Sequence, residues 1–216
     1  MSDSRVPVRV RFSKSGRAKY ISHLDLLRTV QRAIKRSGLP VWYSEGFNPR
    51  IYLSFPLALP VGCDSICENV DFYLTEDIGL DEVMRRLDEA LPEGIKTVSA
   101  APPVYTLKDI GAAEYEIGIE GVTEDAMRSF MESETIEVQK FSKKKGMVTT
   151  DIKPHITVLG TAVKDDLLIV SLRLPAGNTL NINAQLVTDA FTARYGGRVR
   201  YTKRTNILCA DGSDFE

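Results

Sequence analysis

The sequence is poor in the residues that metal and thiol chemistry require. Its 216 residues include three cysteines, Cys63, Cys67 and Cys209, and two histidines, His23 and His155. Three thiols do not make a disulfide framework, and they fit a reducing compartment. Cys63 and Cys67 form a C-x3-C pair, but a structural zinc takes four ligands and no second pair exists. An iron–sulfur cluster takes more cysteines, and Val70 stands where a C-x3-C-x2-C triplet would place its third. No metal and no cofactor is therefore expected. Apolar runs are short as well. None approaches the ~20 residues of a membrane span, and the opening MSDSRVPVRV lacks the apolar core of a signal peptide. The expectation is a cytoplasmic chain with no membrane partner. There is also no P-loop, no G-x-G-x-x-G after a strand, no G-x-S-x-G and no H-E-x-x-H.

The chain does have an uneven distribution of charge. The net charge of −1 hides eleven Lys/Arg against three Asp/Glu in residues 1–50, five against nineteen in 51–137, and twelve against seven in 138–216. Basic ends around an acidic middle fit one surface that faces a polyanion and another that is solvated or faces a protein partner. Hydrophobic content of 43% and charged content of 26% are those of an ordinary globular protein.

The periodicities alternate between two and 3.6. Val6, Val8, Val10 and Phe12 make the buried side of a strand, with Pro7, Arg9 and Arg11 on its outer side. Ser13 to Arg17 reads as a loop. A helix follows, with Ser22 as N-cap, Asp25 three residues on, and Leu27, Val30 and Ile34 pointing inward. Its opposite face carries Arg28, Arg32, Lys35 and Arg36; Gly38 and Pro40 end it. Strands are expected at 41–43, 51–55, 69–74 and 95–101, a loop at 57–67, and a helix at 80–91. The second half repeats this order, with a strand near 115–119, a helix capped by Thr123 and bearing Met127, Phe130 and Met131, a strand at 136–141, an extended stretch at 148–159, a strand at 167–174, a helix at 182–195 and a strand at 198–208. The predicted fold is α+β: two tandem ferredoxin-like (βαββαβ) lobes with antiparallel sheets, residues 1–105 and 106–216.

Four constellations carry candidate chemistry. The first is the loop and helix start, Lys14, Gly16, Arg17, Lys19, Tyr20, Ser22 and His23, together with Arg28 on the first turns; cations and free N–H groups at a helix N-terminus favour phosphate. No catalytic residue is expected. If there is one, it is His23, whose ordinary pKa near ~6.5 suits acid–base work. The second is Phe47, Asn48 and Arg50 in a turn beside Trp42, Tyr43 and Tyr52, where aromatics suit unstacked bases and Asn reads base edges; Trp42 is expected in the core. The third is the tip Lys143, Lys144 and Lys145. The fourth is the turn Tyr195 to Arg198, followed by Arg200, Lys203 and Arg204.

FSKSG at 12–16, YISHLDLLR at 20–28, SEGFNPR at 44–50 and LSF at 53–55 closely resemble the radical SAM-linked proteins, a bacterial domain of unknown function that occurs alone or fused to a radical SAM enzyme. The resemblance covers residues 6–75 most closely and is looser at 143–154 and 198–208. It implies a small partner to a radical SAM protein. More distantly, the paired βαββαβ pattern, the glycine turn at 195–198 and an early helical histidine are similar to the RAMP proteins that bind and cut CRISPR RNA, although the glycine pattern is thinner here. The functional expectation is an RNA-binding accessory protein that presents tRNA or rRNA to a radical SAM modification enzyme. A metal-independent RAMP-like endoribonuclease using His23 and a protein–protein adaptor without RNA contact are the alternatives.

Overall fold

The computed structural model describes residues 5–142, 146–177 and 180–216. The chain divides into two compact units, Met1–Asp109 with Asp214–Glu216, and Ile110–Ser213. The architecture is α+β, with four helices and antiparallel strand pairing among the described residues.

Unit 1 contains β1 (Val6–Lys14), a 3-10 turn at Gly16–Tyr20, α1 (His23–Arg36), β2 (Asp64–Leu74), α2 (Leu80–Ala90) and β3 (Ile95–Ala101). β1 lies between β3 and β2 and runs antiparallel to both. Alternation sends Val8, Val10 and Phe12 into a core with Leu26, Val30 and Ile34 of α1, Val83 and Leu87 of α2, and Val70, Phe72 and Leu74 of β2. α1 starts where predicted. The Ser22 hydroxyl accepts from the Asp25 N–H at 3.1 Å and donates to Asp25 Oδ2 at 2.7 Å. Leu26, rather than Leu27, takes the buried position.

Three expectations for this unit are corrected. Residues 41–43 and 51–55 form no strands; they touch the sheet through isolated bridges, Val41 to Leu74 and Ser54 to Asp71, and bridge each other at Tyr43 and Ile51. Pro40, Pro49 and Pro56 interrupt this stretch and lack the N–H a ladder needs. β2 begins at Asp64, inside the expected 57–67 loop. Arg9, predicted on an open outer face, is 3% exposed, because the end of the chain at Asp214–Glu216 belongs to this unit and covers it.

Unit 2 contains β4 (Ile110–Glu120), α3 (Glu124–Glu132), β5 (Glu137–Ser142), β6 (Gly146–Asp151), β7 (Thr157–Lys164), β8 (Leu167–Pro175), α4 (Ala184–Tyr195) and β9 (Arg198–Cys209). Within it the strand order is β9-β4-β8-β7, with β5 and β6 forming a separate hairpin. The stretch predicted as continuously extended, 148–159, is broken by a 3-10 turn at Lys153–His155. The cause is local. Asp151 Oδ1 accepts from the N–H groups of Ile136 (2.8 Å) and Lys153 (3.0 Å), and Pro154 supports the turn. α4 begins at Ala184, after Asn183, whose side chain accepts from the Gln185 N–H; Ile182 is buried ahead of it.

Gly197 closes the turn between α4 and β9 at φ 86°, and a Cβ there would lie 2.6 Å from Val122 Cγ1 and 2.9 Å from the Glu120 carbonyl oxygen. Gly197→Ala adds strain and collision together, and we expect it to cost about 2 kcal/mol in urea unfolding. The Asp151 carboxyl is held below its ordinary value of 3.8, first by the Ile136 N–H and then by the Lys153 N–H. The unfolded chain therefore binds this proton more readily than the native one, so the native advantage is complete above that value and fades as pH falls through the lowered one. Asp151→Ala is expected to lower the thermal midpoint at neutral pH, with the gap to wild type closing in acid.

Candidate nucleic-acid interface

β1 runs further than its polar end suggests. Ser13 and Lys14 pair with Lys96 and Ile95 of β3, and Lys14 also pairs with Ser65 of β2. Position 14 continues the inward alternation of 8, 10 and 12, so Lys14 is buried at 1% exposure, with Nζ 3.5 Å from the Lys19 carbonyl oxygen. Lys14 is thus withdrawn from the predicted phosphate-facing set. Lys19 is largely spoken for as well. Its Nζ lies 3.1 Å from Asp64 Oδ2 and 5.5 Å from the Tyr20 ring centre, and its carbonyl accepts from the Gly62 N–H.

Arg17 remains exposed. It lines an open cavity with Ser15, Gly16, Pro92, Glu93 and Gly94. His23, the first residue of α1, is half-buried, its ring edge-on to Phe55 at 5.6 Å. Arg28 is exposed and 3.4 Å from Asp25. One turn further, Arg32 and Lys35 are exposed on α1 and, among the described residues, make no ion pair. The helical spacing had placed them on the outer face, but did not distinguish them from the paired Arg28.

α2 is the contrast within the same unit. Glu82 receives Arg85 and Arg86 at 2.7 Å each, and Arg85 also reaches Glu89 at 2.6 Å. The hydrogen bond from Arg85, and then that from Arg86, hold the Glu82 carboxyl down to about 2. These cations are committed to their own helix.

The 44–50 turn is a closed loop. Tyr43 and Ile51 bridge its base, Ser44 N–H donates to the Arg50 carbonyl at 2.8 Å, and Arg50 N–H donates to the Ser44 hydroxyl at 3.1 Å. Gly46, at φ 115°, turns the backbone through the tip. Phe47 follows with its ring wholly in solvent, at 105% relative exposure, and Asn48 and Arg50 are exposed beside it. Among the described residues Arg50 has no ion pair.

Next to this loop is an aromatic group of which the sequence revealed only part. Trp42, expected in the core, is half-buried: Arg5 lies 4.0 Å from its ring centre, and Tyr73 packs against it edge-on at 6.2 Å. Tyr73 in turn meets Tyr52 at 5.4 Å, and Tyr52 and Tyr43 are exposed. Tyr73 and Arg5 escaped the sequence reading because they come to Trp42 only through the bridging of 41–43 with β2.

In unit 2, Arg198 is exposed opposite Glu120 of β4, and Lys203 is half-buried opposite Glu116. Arg204, predicted as a phosphate contact, is instead 1% exposed and the largest fully buried side chain among the described residues, next to a register shift at Glu114 and Tyr115 of β4. Lys143, Lys144 and Lys145 lie outside the described residues. Cys63, Cys67 and Cys209 are buried. Among the described residues no group of three or more His, Cys, Asp or Glu side chains is arranged to hold a metal ion.

A family model described as "Uncharacterized protein conserved in bacteria (DUF2344)" matches residues 7–184, most of the chain. The chain belongs to this family. The match runs from β1 to the start of α4 and so takes in both the 44–50 loop and the α1 N-terminus of this DUF2344 protein. No curated protein matches it.

Phe47 buries nothing in the folded chain. Phe47→Ala is therefore expected to change the unfolding free energy by no more than about 0.5 kcal/mol, read by urea denaturation, as for other exposed positions.

Proposed function

We propose that this DUF2344 protein binds single-stranded RNA through the 44–50 loop and the cations of unit 1, and presents it, as tRNA or rRNA, to a radical SAM modification enzyme. The observation that carries the RNA reading is Phe47: a phenyl ring held fully in solvent on a closed loop, with Asn48 and Arg50 exposed beside it. Such a ring stacks on any unpaired base, Asn reads a base edge, and Arg meets a phosphate. The exposed Arg17, Arg32 and Lys35, without ion pairs among the described residues, add a surface for the phosphate chain. The enzyme partner rests on the resemblance of residues 12–16, 20–28 and 44–50 to radical SAM-linked proteins.

Two further readings belong to this proposal. The strand order β9-β4-β8-β7 with two helices supports a ferredoxin-like lobe in unit 2. We read unit 1 as the same plan with its second strand reduced to the bridges of residues 41–55. The count of three cysteines, all of them buried, supports a reducing, cytoplasmic setting.

Fluorescence anisotropy with labelled single-stranded RNA, measured across a salt series, tests the reading. Binding is expected to weaken steeply with salt, with a log–log slope of about −0.7 for each phosphate neutralised. Phe47→Ala should weaken it about tenfold, the worth of one stacked base. Arg17→Ala combined with Arg50→Ala should weaken it and flatten the slope, while Lys164→Ala leaves both unchanged. A salt-independent or absent interaction refutes RNA binding and leaves the protein–protein adaptor. RNA cleavage in EDTA that is lost in His23→Ala replaces presentation by the nuclease.

A further inference from the structure

We infer that unit 1 has a second ligand site, a cavity of about 150 Å³ that takes the carboxylate of a small organic acid. The site lies on the sheet face away from α1 and α2. Since Val8, Val10 and Phe12 point to the helices, Arg9 and Arg11 point the other way. The register sets the flanking residues: Arg11 pairs with Asn69 of β2 and Ser99 of β3, and Arg9 pairs with Asp71 and Ala101. Phe215 and Glu216 complete the wall.

The two guanidinium groups differ in state. Arg9 is consumed by the fold: Nε and Nη2 donate to the two Asp71 carboxylate oxygens at 2.7 Å each, Nη2 also to the Tyr105 carbonyl and Nη1 to the Glu216 backbone oxygen, both at 2.9 Å. Arg11 has none of this. Its Nε is buried and meets no acceptor, and no ion pair reaches its guanidinium among the described residues. Glu216, on the same wall, is exposed and makes no ion pair with it. A buried donor on a charged group left without a partner is costly, and the cost is removed by an acceptor entering the cavity.

Three features select the ligand. The guanidinium fork matches the plane and spacing of a carboxylate. One cation without an ion pair among the described residues balances one negative charge, whereas a phosphate dianion would bring a second charge beside Glu216 on the same wall. Phe215 and Ala101 supply an apolar wall for a short carbon tail, and the volume is that of about five waters. Asn69 already donates Nδ2 to the Cys67 carbonyl at 3.1 Å and keeps one N–H, and the Ser99 hydroxyl stands at an exposed lining position.

Propionate is the probe. At constant ionic strength it is expected to shift the Arg11 Nε–H resonance saturably and to raise the thermal midpoint with the logarithm of its concentration. Inorganic phosphate should do neither. Arg11→Gln should weaken propionate binding about tenfold or more, as expected for loss of a charged hydrogen bond. Ser99→Leu, an exposed substitution that fills the cavity and leaves Arg11 in place, should abolish it. No saturable response in wild type, an unchanged response in either variant, or a response to phosphate but not propionate overturns the assignment.

Discussion

Arg9 holds the first unit together. At 3% exposure its guanidinium spends itself on both oxygens of Asp71, on the backbone oxygens of Tyr105 and Glu216, and on the Phe215 ring 4.2 Å away. One side chain thereby ties β1 to β2, to the segment after β3, and to residues some two hundred positions along the chain. A buried pair like this contributes little net stability over an apolar substitute, but losing one partner strands a charge and costs about 3 kcal/mol or more. Its geometry also decides what Arg11 experiences. With Asp71 taken by Arg9, the neighbouring cation on the same face has no carboxylate opposite it, since its register partners are Asn69 and Ser99.

The cations elsewhere in the unit divide into paired and unpaired ones. Glu82 and Glu89 absorb the cations of α2, and Asp64 absorbs Lys19. Arg17, Arg32, Lys35 and Arg50 are exposed and, among the described residues, make no ion pair. Exposed pairs add little to stability, so the pattern matters less for folding than for what the surface attracts. Paired cations present a neutral surface to a polyanion, while unpaired ones present a field. Phe47 on its closed loop adds an exposed aromatic ring that the fold itself does not use.

Much of the fold was legible along the chain, because β1, α1, α2, β3 and β8 declare themselves by unbroken periods and clear caps. Ser22 with Asp25, and Thr123 accepting from the Ala126 N–H, start their helices as their spacing demands. The failures share one cause. Residues 41–43 and 51–55 have the composition of strands, yet the prolines among them limit pairing to single bridges. Lys14 and Arg204 read as surface cations, yet both sit at strand positions whose burial is set by neighbouring strands. The candidate site divided in the same way. Phe47, Asn48 and Arg50 were legible from a Gly- and Pro-containing turn, while Tyr73 and Arg5 joined Trp42 only through long-range bridging.

The sequence by itself determined the local matters: where helices start and stop, which strand positions alternate inward, and that a basic, aromatic stretch precedes an acidic middle. These follow from backbone period, capping and composition, and need no distant partner. The tertiary structure alone decided which cations are spent and which remain. A lysine or an arginine reads the same in the sequence whether or not it is paired in the fold, and only the register that brings Asp71 to Arg9, and Asn69 and Ser99 to Arg11, distinguishes a structural ion pair from a cation still without an acceptor among the described residues.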